Sequence, residues 1–186
     1  LHGTNRRQRQ MCIRDSPPEI CTFGYQTARH HGVEIIQSLM TDARTTGRWY
    51  IAIAMGRSAG HLALGIGKAA GATLTLIPEE FDQRPFRLQQ LVDTIVGSVL
   101  KRLAEGRNDG VAVVAEGVVL DLDERDLQGL GKVERDDHGH MRIAEINVGE
   151  GLRSAVRERL AELGHDITFV SCLLYTSDAA DDSYRV

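Results

Sequence analysis

The sequence predicts an α/β fold with a mostly parallel sheet, and three observations carry that prediction. WYIAIAM (49–55) is apolar on both faces, as a central strand of a parallel sheet is. TLTLI (73–77) and GVAVVAEGV (110–118) read as further strands. Between these runs lie segments about a dozen residues long with helical spacing of apolar side chains, and that alternation belongs to strand–helix–strand units.

Taken in order, Thr22 is an N-cap candidate for a first helix, with Val33, Ile36, Leu39 and Met40 on one stripe and Gly47 at its end. After WYIAIAM, residues 58–70 predict a second helix, with Ala59, Leu62, Ala63, Ile66, Ala69 and Ala70 on one face and Gly71 closing it. Pro78 halts TLTLI. Leu88, Leu91, Val92, Ile95, Val96, Val99, Leu100 and Leu103 form the clearest amphipathic stripe, with Lys101 and Arg102 at the end where the helix dipole favours cations. A polar stretch, 121–140, leads to RIAEINV. Leu152, Ala155, Val156, Leu160 and Leu163 then stripe a last helix, ended by Gly164, and ITFV (167–170) starts a strand that the following residues cut off.

The two ends of the chain differ from this middle. RRQRQMCIRDS (6–16) and CLLYTSDAADD (172–182) have neither period. One short DNA element can encode both: a choice of codons for the first stretch, reverse-complemented and read from the second base, gives the second as far as the opening base of the Asp182 codon. The element resembles the transposase adapter of sequencing libraries. Residues 1–16 and 172–186 are therefore read as translated tails and set aside. The remaining 17–171 would be an internal piece of a longer protein.

Without the tails, the 22 basic and 26 acidic side chains become 17 and 22, a net charge of −5. That balance favours neither nucleic acid nor an anionic membrane. No apolar run is long enough to span a bilayer. Cys21 alone remains within 17–171, which excludes an internal disulfide or a multi-cysteine metal site and suits a reducing cytosol.

In open parallel sheets, ligands bind beyond the carboxyl ends of the strands. Arg57 falls there, just past WYIAIAM at the head of the next helix. Gly56 lets backbone approach a ligand, Arg57 supplies a planar charged donor fork, and the helix terminus adds amides and a positive dipole end. The set suits a phosphate or carboxylate; an arginine pairing with a neighbouring carboxylate is the structural alternative. Glu116, at the end of VAVVA, could accept hydrogen bonds from a polyol or form an ion pair. Glu79 and Glu80 follow TLTLIP at a third strand end; either could face the same crevice, with a solvated loop the default reading.

Other motifs fail. GIGKAAG (65–71) has its glycines inside a helix, and Lys68 is followed by Ala69 where a phosphate loop needs Ser or Thr. Gly65 and Gly67 read instead as close packing against the sheet. DDHGH (136–140) has side chains that could hold a metal but reads first as turn chemistry. His30 and His31 diverge on a helix, and His61 lies off the apolar face of its own. DLDERDL (121–127) lacks calcium-loop spacing and reads as a solvated face.

Four segments together resemble the 6-phosphofructokinase family: TFGYQTA (22–28), AMGRSAGHLAL (54–64), LIPEE (76–80) and VAVVAEGV (111–118). Order and approximate spacing agree across about 20–120. The resemblance implies a phosphofructokinase-like layered fold, here incomplete, and transfer of a phosphoryl group from pyrophosphate or ATP to the 1-hydroxyl of fructose 6-phosphate, a step of glycolysis in the cytoplasm. It implies that Met55, Gly56 and Arg57 line the sugar-phosphate and transfer site, that Arg57 steadies charge on the moving group, and that Glu116 binds sugar hydroxyls. Arg48 matches an arginine that reaches the 6-phosphate of a neighbouring subunit, which implies a homo-oligomer. The family's donor-phosphate loop, and its acidic loop with the catalytic base and Mg2+ contacts, would lie upstream of Thr22, and a later phosphate site beyond Val170. The chain alone is thus expected to be inactive, holding half of an acceptor site. A non-catalytic sugar-phosphate-binding protein of the same fold is the alternative. The flavour of TFGYQTAR and MGRSAGHLA leans towards pyrophosphate as donor.

Overall fold

A computed structural model of the chain describes residues 24–56, 59–81, 84–123, 125–127 and 148–174. The expectations for Thr22, Arg57, DDHGH and most of both tails lie outside the described residues.

Helix α1 (Tyr25–Thr46) leads into β1 (Trp49–Ala54), α2 (His61–Ala70) and β2 (Leu74–Leu76). A 3-10 turn (Pro78–Glu80) precedes α3 (Leu88–Ala104) and β3 (Gly110–Ala115); α4 (Gly117–Leu120), α5 (Val148–Glu162) and β4 (Phe169–Leu174) complete the series. The four strands lie in the order β2-β3-β1-β4 and every pairing is parallel, as the sequence predicts.

That order fixes the layers. The step from β1 to β2 runs one way along the sheet, and those from β2 to β3 and from β3 to β4 run the other. With right-handed crossovers the intervening helices fall on opposite faces. The packing agrees: α1 lies against α2, β1 and β3 and α2 against β2 and β3, while α5 packs on α3, β1 and β4. Strands β1 and β3 are buried at every residue, because helices cover both faces.

Several boundaries depart from the sequence reading. The N-cap of α1 is Gly24, with no side-chain cap. Helix α2 begins at His61 rather than 58, so Ala59 precedes it, and Ala69 is exposed; its buried side chains are Ala63 and Ile66. Gly67 does meet the sheet, at Thr75, but Gly65 faces Tyr25 and Arg29 of α1. The buried line of α1 is small-residue in character, Ala28, Gly32, Ile36 and Ala43, since Gly32 lies over Ile66. Gly47 and Gly71 end their helices in the left-handed region, as expected.

Strand β3 stops at Ala115, leaving Glu116 in a turn and Gly117 in a short helix. Leu163 is exposed past the end of α5. Strand β4 is not cut off at Val170: its register with β1 continues through Cys172, Leu173 and Leu174. Ser-Cys-Leu-Leu contains no proline or glycine to break the ladder, and Leu174 is buried.

The acidic cluster is also more than a solvated face. Asp126 accepts from Arg87 Nε at 2.8 Å and from the Leu88 amide at 2.8 Å, so it caps α3. Arg87 beside it holds its carboxyl below the usual range. Asp121 pairs with Arg84 at 3.0 Å.

Candidate functional site

The adjacent strands β1 and β3 send their following helices, α2 and α4, out of the same end of the sheet. Their onward connections run in opposite directions, to β2 and to β4. Such a switch point opens a crevice beyond the carboxyl ends of the two strands. Ala54 pairs with Ala115 at this end, and the Glu116 amide donates to the Ala54 carbonyl at 2.9 Å. Met55, Gly56 and Glu116 are therefore neighbours through register alone.

Side-chain geometry strengthens the association. The Gly56 amide donates to Glu116 Oε2 at 3.4 Å. Met55, Gly56 and Glu116 are all half-buried, placed at a lip and not within the core. A carboxylate carries about four acceptor sites, so it can hold a backbone amide and hydroxyl groups together.

Glu79 comes to the same turn from β2. Its Oε1 accepts from the Gly60 amide at 2.9 Å, which places a carboxylate at the head of α2, where the dipole favours negative charge. The sequence predicts a solvated loop at Glu79, and Glu79 is exposed as expected, yet its carboxylate also reaches the helix terminus that the sequence assigns to a ligand anion. The chain itself supplies one anion there. The signal available was the Pro78-Glu79 pair directly after a strand. Glu80 is exposed.

Arg48 is at the other end of β1, separated from Met55 by the whole strand, about 20 Å. Here the Tyr50 hydroxyl donates to Asp42 Oδ2. That bond, with burial, pushes the Tyr50 phenol above its ordinary value, and the nearby Arg48 guanidinium opposes it. The Asp42–Tyr50 pair was missed in the sequence because its partners lie on different elements.

His61 turns to α1: its ring is 5.4 Å from that of Tyr25, whose hydroxyl donates to the His61 carbonyl at 3.3 Å. His30 and His31 both reach Glu34, at 3.6 and 3.5 Å, on an exposed face. Among the described residues no three His, Cys, Asp or Glu side chains are grouped to hold a metal ion. No described helix is long and apolar enough to cross a membrane.

The family model for phosphofructokinase matches residues 15–168. The chain is 48% identical over 156 residues to the pyrophosphate–fructose 6-phosphate 1-phosphotransferase of Thermotoga maritima, which covers 83% of this chain and 37% of that protein. It is 44% identical over 162 residues to the protein of the same name from Naegleria fowleri, covering 82% and 37%. Against the ATP-dependent 6-phosphofructokinase of Streptococcus uberis, identity is 39% over 98 residues, 53% of this chain and 27% of that one. The solved phosphofructokinase of Saccharomyces cerevisiae shares the fold, with a TM-score of 0.52 at 23% identity over 81% of this chain and 16% of that chain. The chain thus spans a little over a third of the length of the first two relatives. With its parallel sheet and the match over most of its length, the chain belongs to the phosphofructokinase family.

Proposed function

We propose that this chain is the sugar-phosphate-binding part of a longer protein that transfers a phosphoryl group to the 1-hydroxyl of fructose 6-phosphate. The observation that carries the reading is the meeting of Gly56 and Glu116 at the switch point. It joins a close-approach backbone to a hydroxyl-binding carboxylate, in a chain similar to named fructose 6-phosphate phosphotransferases.

In this reading Met55 and Gly56 line the sugar-phosphate site and Glu116 accepts from the sugar hydroxyls. Arg57, one peptide bond beyond Gly56, steadies charge on the moving phosphoryl group. Such chemistry depends on positioning and charge stabilisation more than on covalent steps. Arg48 cannot serve the same crevice from the far end of β1. It would instead present its guanidinium to the 6-phosphate in a neighbouring subunit, which makes the protein a homo-oligomer. Pyrophosphate is the favoured donor over ATP, because the relatives matching over the greater length are pyrophosphate-named. Mg2+ would accompany the donor; the described residues offer it no ligand cluster. The catalytic base belongs to the part of the protein outside this segment, and the protein works in the cytoplasm.

The test is a coupled assay of fructose 1,6-bisphosphate formation by the longer protein, supplied with Mg2+ and either pyrophosphate or ATP. Turnover with pyrophosphate is expected. Fructose 6-phosphate binding without turnover on either donor would overturn the enzymatic reading.

A further inference from the structure

The turn between β1 and α2 is tied at both ends to carboxylates from two other strands. Glu116, after β3, holds the Gly56 amide at 3.4 Å, and Glu79, after β2, holds the Gly60 amide at 2.9 Å. Between the ties, the Ala59 amide donates to the Gly56 carbonyl at 3.3 Å.

The second tie is closely built. Gly60 is buried, and a Cβ there would overlap both the Ile77 side chain and the Glu79 carboxylate. Ile77 is itself buried beyond the end of β2. Pro78, whose ring fixes φ, then opens the 3-10 turn that carries Glu79. Backbone and carboxylate therefore meet with no room for a side chain at residue 60, although Glu79 as a whole residue is exposed.

We propose that Glu79 is a positioning residue: by holding the Gly60 amide it fixes where α2 begins relative to β1, and so sets Gly56 beneath Glu116. The effect on catalysis rests on the function proposed above; the hold on the turn does not. Glu79 touches no reacting atom. It acts through the backbone of a turn in which a displacement of about 1 Å costs up to about 100-fold in rate.

The test uses the longer protein with Glu79→Ala, Glu79→Gln and, as control, Glu80→Ala. Gln keeps an acceptor oxygen for the Gly60 amide, whereas Ala removes it. Hydrogen exchange across residues 55–62 is read beside kcat, KM for fructose 6-phosphate and thermal midpoint. In Glu79→Ala, exchange should rise about tenfold, and kcat/KM for fructose 6-phosphate should fall about tenfold, because the backbone it positions lies in the proposed sugar-phosphate site. The thermal midpoint should stay close to wild type. Glu79→Gln should recover both readouts, and Glu80→Ala should alter neither. Unchanged exchange in Glu79→Ala overturns the proposal, as does raised exchange with unchanged kcat/KM in an active protein. So does a Gln variant as impaired as Ala. If the wild-type protein forms no fructose 1,6-bisphosphate, the function reading fails on that measurement, and exchange alone decides whether Glu79 holds the turn.

Discussion

The Gly56 amide and the Glu116 carboxylate meet at 3.4 Å although sixty residues separate them. The contact exists because β1 and β3 are in register to their last pair, Ala54 and Ala115. Replacing Glu116 by Ala should raise KM for fructose 6-phosphate by about tenfold or more, the scale of a lost charged hydrogen bond. Glu116→Gln, which keeps an acceptor, should cost less. Steady-state kinetics of the longer protein decide it; equal KM values in wild type and Glu116→Ala would remove Glu116 from the sugar site.

Arg57→Ala should act on the other kinetic constant. A donor that steadies charge only as the phosphoryl group moves contributes to kcat, and losing one costs at least about 100-fold. Single-turnover and steady-state rates check it. A near-normal kcat would end the assignment.

Arg48 is at the opposite end of β1 beside the Asp42–Tyr50 pair. Arg48→Ala should weaken fructose 6-phosphate binding by about tenfold through a subunit contact. Sedimentation and KM are measured together: a monomer whose KM ignores the substitution refutes the shared site.

Gly110→Ala probes the sheet itself. An added Cβ would lie 2.6 Å from the Trp49 ring, and a fully buried ring cannot swing aside. The expected loss is about 1–3 kcal/mol. Trp49 is the single tryptophan in the sequence, so a lower thermal midpoint should come with changed indole emission; an unchanged midpoint would show the ring gives way.

Asp109→Asn tests a buried charge cluster. Burial raises the Asp109 carboxyl, but bonds and charge from Arg107 and Arg102 outweigh it, and the net shift is downward. Arg102 Nη2 and Arg107 Nη2 each lie 3.1 Å from Asp109 Oδ2. A lowered folded value means the stabilisation is present above the unfolded value of about 3.9 and is lost as pH falls through the folded one. Asp109→Asn should therefore cost on the order of 2 kcal/mol at neutral pH. Its urea midpoints should converge with wild type below about pH 4. A constant difference at every pH would assign the loss to shape instead of charge.

Much of this was legible in the sequence, for reasons that differ by element. Strands β1 and β3 announce themselves because two-sided burial removes polar residues from both faces. Helix α3 does so because five of its apolar side chains are buried on one stripe. The placing of Gly56 and Glu116 side by side at the strand ends followed from the parallel-strand pattern. The ties from Glu79 and Asp126 did not, since each is a bond between a loop carboxylate and a backbone amide set by tertiary approach. No period in a sequence records such a bond. Residues 172–174 carried the wrong expectation for a different reason: an apolar tripeptide beside a paired edge extends the ladder whatever its origin.

The order of the strands also sets an order in time. Trp49 pairs with Gly110 and with Phe169, so β1 leaves the ribosome some sixty residues before its first neighbour and twice that before its second. At about 5–20 residues per second the first wait is roughly 3–12 s. During it a six-residue apolar segment has no hydrogen-bonded neighbour. Of the described helices made before β3, α1 packs against it. The nascent chain is therefore most exposed to misassociation at this strand, and a chaperone that retains it until β3 emerges should raise the folded yield more than one acting after synthesis is complete.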